Sequence, residues 1–345
     1  MDEEARLSKS VSVVAERVEK VSAEVRRALS TPMDVSAFAR SDTRWISTGA
    51  GSSEGPARLL ATLLRAEGLV ADFTPISSFI EGAPPADVCV VVSQRLSPNA
   101  LVPLARAGAY RHVLLVTTLD EGDLARAAPR AGDVRLLKHG PRDEDGLLLR
   151  LIGPAAASAT ILRLVREIAN RLAPESHAPD VAPALESARD RASKAMLGID
   201  PRALFDVAGL VAVGTDVALC EGLRHKLLEG LGRAHPPIWD LCALVHGPLQ
   251  SFYERTATLV LFERETAGSR TSELPSLLAR VLHPDRHNLV RLRSALPGPH
   301  ALLDFDLQLD HLVLEALRAQ PRDLVEWPGK GRDAPLYDLG KGVAI

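Results

Sequence analysis

Apolar and polar positions along the chain change period in an orderly way. From about Glu4 to Leu29, Val11, Val14, Val18, Val21 and Val25 fall on one helical face, and Ser30-Thr31-Pro32 end that helix. A short strand, Trp45-Ile46-Ser47, then leads through the glycine turn Gly49-Ala50-Gly51-Ser52-Ser53 into a helix from Pro56 to Glu67. Leu69 to Phe73 is a second strand. Asp87 to Val92 is a continuous apolar run, the mark of a strand covered on both faces of a parallel sheet. His112 to Thr117 and Val134 to Lys138 read as strands, and Ala155 to Leu172 as a helix. Strand, helix and strand alternate at βαβ spacing, which predicts an α/β fold with a mostly parallel sheet.

The second half repeats this order. Ala208 to Val213 reads as a strand, Gly214-Thr215-Asp216 as a turn and Val217 to Leu231 as a helix. Thr256 to Phe262 and Asn288 to Leu292 are further strands; Ala184 to Leu197, Leu274 to Val281 and Phe305 to Ala319 are helices. Recurrence of strand, glycine turn and helix suggests duplication of one α/β unit. The Pro- and polar-rich stretch 173–183 is the best linker. The predicted domains are therefore 1–175, the N-terminal helix plus a first α/β domain, and 184–345, a second one with a Gly- and Pro-rich tail from Trp327.

Composition narrows the function classes. A net charge of −3 gives no nucleic-acid footprint. No apolar run approaches the roughly 20 residues that span a bilayer, and the acidic start MDEEARLSKS is not a signal peptide. Cys89, Cys220 and Cys242 lie in apolar segments without metal spacing, so they read as reduced core residues of a cytoplasmic protein. His283-Pro284-Asp285-Arg286-His287 spaces two histidines helically, but Pro284 breaks the helix; it reads as a surface turn, and no metal site is expected. Lysines are few beside arginines: Lys9, Lys20, Lys138, Lys194, Lys226, Lys330 and Lys341. A retained lysine is therefore a candidate amine, since arginine cannot deprotonate to act as a nucleophile.

Candidate chemistry gathers in three places. Gly51, Ser52 and Ser53 sit between a strand and a helix N-terminus, where backbone and hydroxyls cradle an anion. With Gly55 and Asp72 the same residues also read as a dinucleotide fingerprint, or simply as a tight turn. Ser52 or Ser53 as a hydrolase nucleophile is disfavoured, since the nucleophile-elbow pattern is missing. Ser93, Gln94 and Arg95 follow the apolar strand, and strand carboxyl ends are where open parallel sheets bind ligands. Lys226 and Glu229, three apart, share a helical face; Pro236-Pro237 stop that helix, and His246 follows on a loop before Gly247-Pro248. An amine, a carboxylate and an imidazole are the groups that move protons around a carbonyl, although a surface ion pair and a loop histidine give the same pattern.

Together these residues resemble the sugar isomerase (SIS) family, most closely the isomerase half of glucosamine-6-phosphate synthases. The glycine-serine loop matches residues 49–53, and the family's SQSGET loop begins like Ser93-Gln94. CEGLRHKLLE and LVHGPLQS resemble the family's ALEGALKLKE and LKHGPLAL, and the tail through Asp333-Ala-Pro335 to Lys341 resembles DQPRNLAKSV with one extra residue. The resemblance implies two tandem SIS domains, each a flavodoxin-like three-layer sandwich. It implies that Lys341 forms an imine with a ketose, that Glu229 shuttles the proton between C1 and C2, that His246 from the other subunit of a homodimer assists ring opening, and that Lys226 stabilises charge near Glu229. No cofactor is implied.

The departures are at the anion loop. Arg95-Leu96-Ser97-Pro98 replaces Ser-Gly-Glu-Thr, so Ser97 and Asn99 are the substitutes for the lost donors, and LLLRLIGP (147–154) stands where the family has EIGVASTK. No glutaminase cysteine follows Met1, so any ammonia comes from solution or a partner. The expected activity is aldose–ketose isomerisation, or amino-sugar formation or deamination, on a sugar phosphate or other anionic sugar. The alternatives are a non-catalytic sugar-phosphate-binding regulator and a nicotinamide-dependent oxidoreductase.

Overall fold

A computed structural model describes residues 2–128, 133–140, 144, 146–172, 179–265 and 273–342, with the backbone alone for Lys341 and Gly342. Most of the expected linker, 173–178, lies outside the described residues.

Among the described residues, nine strands form two wholly parallel sheets. The first contains β1 (Arg44–Thr48), β2 (Val70–Phe73), β3 (Val88–Val92), β4 (His112–Thr117) and β5 (Val134–Lys138) in the order β2-β1-β3-β4-β5. The second contains β6 (Val207–Ala212), β7 (Ile238–Asp240), β8 (Ala257–Arg264) and β9 (His287–Ser294) in the order β7-β6-β8-β9. The two orders coincide over four strands. Parallel pairing needs a crossover between strands, and the helices after β1 and β6 supply it.

Burial explains why these segments are strands. Val88, Cys89, Val90, Val91 and Val92 are all buried, which suits a central strand rich in β-branched residues with both faces covered. One face of the first sheet packs Ile46, Cys89, Val91, Val113 and Leu115 against Phe79, Leu104 and Leu124. In the second sheet, Ala257 through Phe262 are buried. Gly209 in β6 faces the indole of Trp239 on β7, which occupies the space a Cβ would need.

Contacts divide the chain into two units. One comprises Met1–Ser22, Gly146–Leu151 and Pro179–Val325 and holds the second sheet; the other comprises Ala23–Asp145, Ile152–Ala178 and Glu326–Ile345 and holds the first. Each unit draws on segments from both halves of the chain. Hydrogen bonds account for part of this: the Leu324 N–H donates to Ser10 Oγ at 3.0 Å, the Leu148 N–H to the Leu324 carbonyl at 2.8 Å, and Arg17 to the Leu149 carbonyl at 2.9 Å.

Three local differences from the sequence reading stand out. The helix expected over 217–231 is broken into Asp216–Cys220, a tight turn Glu221–Leu223, and Arg224–Leu231, with Gly222, a poor helix former, at the break. Its end is Gly232, in the left-handed conformation at φ 62° with its N–H on the Leu228 carbonyl at 3.1 Å, before Pro236-Pro237 are reached. Cys89 and Cys220 are buried, and burial pushes the Cys89 thiol up to about 12, but Cys242 is exposed in the short helix Leu241–Leu244. No helix among the described residues is long and apolar enough to cross a membrane.

Candidate functional site

In the first sheet, the chain leaves β1 and β3, adjacent strands with connections to opposite sides, at their carboxyl ends. Such a switch point opens a crevice. Gly49 is required there: a Cβ would lie 2.6 Å from the Ser53 carbonyl oxygen and 3.2 Å from that of Val92. Gly51 takes φ 57°, and Gly51–Ser53 make a tight turn into the helix Glu54–Ala66.

After β3 the loop is tied down by its own polar groups. Ser93 Oγ accepts the Ser97 N–H at 3.1 Å. The Gln94 carbonyl accepts from the Thr118 N–H at 3.0 Å and from the Thr117 and Thr118 hydroxyls at 3.1 and 2.7 Å. Leu96 has φ 56°, a conformation that costs a leucine about 1–2 kcal/mol; its buried side chain packs in the core of this sheet. Arg95 is exposed.

The Gln94 side chain turns inward. Its Nε2 donates to Glu144 Oε2 at 2.9 Å, and Gly153 gives it room, since a Cβ there would lie 2.5 Å from the Gln94 amide. Glu144 is fully buried. Its carboxylate accepts the Ile152 N–H at 2.7 Å and the Gly153 N–H at 2.6 Å, so it closes the N-terminus of the helix Ile152–Leu172. Helix N-termini leave such N–H groups without internal partners and favour negative charge.

Ser52, Ser53, Gln94, Gly153 and Pro154 line one small cavity together with His139. It has room for about one water molecule. His139 follows β5, its N–H on the Thr117 carbonyl at 2.8 Å. It is 3% exposed, and neither ring nitrogen has a hydrogen-bond partner. A buried polar group left so costs about 1–3 kcal/mol.

Burial lowers the His139 pKa from 6.5 to about 4. Below pH 6.5 the unfolded chain takes up a proton that the folded chain refuses until about pH 4. Stability therefore rises with pH across this window and is lost as pH falls through it. The contribution from this group is roughly 3 kcal/mol. Urea unfolding at successive pH values is expected to show it, and His139→Leu to remove that part of the slope.

The tail lies against the same loop. Asn99, with its amide nitrogen toward the tail, donates to the Tyr337 and Leu336 carbonyls at 2.9 and 3.1 Å. The turn Leu339–Gly342 carries the Lys341 backbone, and Gly340 presses on the Pro98 carbonyl so closely that no Cβ would fit. The Asn99 amide thus anchors the tail, and the Ser97 N–H serves Ser93.

The remaining residues singled out in the sequence belong to the unit of the second sheet. Glu229 is half-buried on the helix Arg224–Leu231, and its Oε2 accepts the Arg150 N–H at 3.2 Å. His246 is exposed, ahead of Gly247 at φ 126° and a short helix opened by Pro248. Lys226 points into the core. Its ammonium sits 2.6 Å from Asp306 Oδ1 and pairs with Asp310, both on the helix Ala301–Ala319. Burial works against its charge, yet the two carboxylates together outweigh this and hold its pKa above the ordinary lysine value. The geometry makes Lys226 a fixed core cation instead of the charge-stabiliser expected near Glu229. His283 and His287 close a turn, the His283 N–H donating to His287 Nδ1 at 3.0 Å.

His139, which lines the cavity, and Glu144, which holds Gln94 beside it, were missed in the sequence. His139 had one available signal: it follows directly on a strand of a parallel sheet. Glu144 had none, lying in a charged stretch that reads as loop.

No protein-family model and no curated protein matches the chain by sequence. Solved structures do match its fold. The C-terminal domain of glucosamine-fructose-6-phosphate aminotransferase from Francisella tularensis superposes with a TM-score of 0.66 at 13% identity, over 90% of this chain and 97% of that one. The chain has the sugar isomerase (SIS) fold. Glucosamine-6-phosphate deaminase from Thermotoga maritima matches with a TM-score of 0.66 at 14% identity, over 90% of this chain and 96% of that one. Tagatose-6-phosphate ketose/aldose isomerase from Escherichia coli matches with 0.58 at 16%, over 94% and 95%. In the SIS fold of this chain, Ser52, Ser53 and Gln94 are brought together around one cavity, while Ser93, Arg95, Ser97 and Asn99 do not line it.

Proposed function

We propose that this protein binds a phosphorylated or otherwise anionic sugar and acts on it as an aldose–ketose isomerase or an amino-sugar-forming or deaminating enzyme. The observation that carries the reading is the meeting of Ser52, Ser53 and Gln94 at the switch point of the first sheet. Structures sharing this fold include an aminotransferase domain, a deaminase and a ketose/aldose isomerase, all named for 6-phosphosugars. In this proposal Lys341 forms the imine, Glu229 moves the proton, and the exposed His246 serves the other copy of a homodimer.

A binding-only role is the second reading. It is favoured by Glu144, which already occupies a helix N-terminus suited to an anion, and by Lys226, whose amine is engaged in the core.

Thermal unfolding with a panel of hexose 6-phosphates tests the shared part of both. A ligand at 100 times its dissociation constant adds about 2.7 kcal/mol to stability. We expect at least one 6-phosphosugar to raise the midpoint; a panel with no shift at millimolar ligand removes both readings.

A further inference from the structure

The second sheet repeats the strand order of the first, so strand register relates positions at their carboxyl ends. In the first sheet Thr48 of β1 pairs with Val91 of β3; in the second Val211 of β6 pairs with Leu261 of β8. Three residues after Thr48 comes Gly51 at φ 57°, and three after Val211 comes Gly214 at φ 59°. The two turns therefore correspond. Counted on from the same anchors, Ser53 corresponds to Asp216 and Gln94 to Arg264.

Ser53 and Gln94 line a cavity. Asp216 and Arg264 meet instead: Arg264 Nε donates to Asp216 Oδ2 at 2.7 Å. Asp216 is 4% exposed, whereas the Arg264 side chain is 31% exposed. A buried carboxylate thus holds a guanidinium that still reaches solvent. The pairing is incomplete. Guanidinium–carboxylate pairs are frequently bidentate, yet here one bond forms and Asp216 Oδ1 has no hydrogen-bond partner. Burial raises the Asp216 pKa above the ordinary carboxyl value, although the Arg264 charge and hydrogen bond act the other way.

A buried carboxylate with one oxygen unpaired is a costly way to brace a fold. The position suits a ligand better. β7 and β9 lie on opposite sides of the adjacent strands β6 and β8, and open parallel sheets bind ligands at the carboxyl ends of such strands. The arginine fork matches the geometry of a phosphate.

We propose that the carboxyl end of the second sheet is an oxyanion site filled by the chain's own carboxylate. Asp216 stands on Arg264 in place of a phosphate, so this site takes up no phosphate while Asp216 is there and opens when Asp216 is replaced. The inference does not rest on the function proposed above.

The test uses the full chain with 15N-labelled arginine. The Arg264 Nε–H signal is assigned by its loss in Arg264→Lys and followed by NMR during titration with inorganic phosphate. In the parent, phosphate is expected to leave this signal in place. In Asp216→Ser, which installs the residue of the first turn, phosphate is expected to move it saturably. Binding at Arg264 should tighten at least about tenfold, the worth of one hydrogen bond to a charged group. Adding Arg264→Gln to Asp216→Ser is expected to abolish that gain, read by equilibrium dialysis.

A signal that moves in the parent as it does in the variant overturns the proposal, as does one that stays in place in folded Asp216→Ser. A gain that survives Arg264→Gln overturns it too. If Asp216→Ser does not fold, Asp216→Asn is read in the same way, since it removes the charge but keeps the shape and an oxygen for Arg264. Failure of both variants to fold would make the pair a structural brace and end the proposal. Because the signal belongs to Arg264, the result stands whether or not a 6-phosphosugar binds at the first sheet, and the two readings fail separately.

Discussion

Replacing Lys226 by methionine is expected to lower the stability of the fold by about 3–5 kcal/mol. The lysine side chain is 4% exposed and sits between two aspartates that are 5% and 1% exposed. Its ammonium also lies 3.4 Å from the Asp306 carbonyl. Removing it leaves two buried carboxylates four residues apart on one helix, where like charges repel and neither keeps its principal cation. Urea denaturation should show a lower midpoint with an unchanged slope. A second variant separates lost charge pairing from lost packing: Lys226→Met with Asp306→Leu and Asp310→Leu removes all three charges, and apolar replacement of a whole buried ion cluster is often neutral or stabilising. Recovery in the triple variant is the expected result. A single variant as stable as the parent would show that the cluster does not support the fold.

Glu229→Gln is expected to reduce turnover by about 10²–10⁴ if Glu229 moves the proton. The substitution keeps the size of the side chain and removes its basicity, and unfolding is measured beside activity to separate a structural loss from a catalytic one. The Arg150 N–H donates to Glu229 Oε2 at 3.2 Å, and a glutamine carbonyl oxygen can accept the same bond. Activity that falls with the midpoint near that of the parent is the result that assigns the loss to the chemistry. Turnover is measured on whichever 6-phosphosugar shifts the melting midpoint. Borohydride reduction with the matching ketose should tag Lys341, and a tag elsewhere would reject its imine role. Parental turnover in the Glu229 variant would leave only the binding reading.

The strands were the most legible part of the sequence. β4 and β5 occupy the residues their patterns predict, 112–117 and 134–138, because buried parallel strands advertise themselves as apolar runs between polar breaks. β7 escaped notice: it is three residues long, follows Pro236-Pro237, and shows no alternation long enough to read. The helix Ala301–Ala319 begins before the predicted Phe305 because Asp304 and Asp306 look like a polar helix start. Both are buried; Asp304 is paired with Arg191, as Asp306 is with Lys226. An aspartate reads as exposed until its distant partner is known, and these partners lie about a hundred residues away along the chain.

The site was legible in its loops more than in its side chains. The glycine-serine turn and Gln94, which meet at the cavity, were legible because backbone conformation and strand ends leave a mark in composition. Lys226 was misleading: an i,i+3 spacing with Glu229 places both on a helix without saying which way each one leans. His139 and Glu144 act through contacts with Thr117, Gln94 and Gly153 that only folding creates.

Where Gly340 rests on Pro98, main chain meets main chain and there is no slack between them. The Asn99 amide fastens the same junction. Any rearrangement of residues 97–99 must therefore be transmitted to the end of the polypeptide. Leu336, 72% exposed beside that junction, is a natural position for a fluorophore, and its emission would report remotely on what happens in the loop after β3.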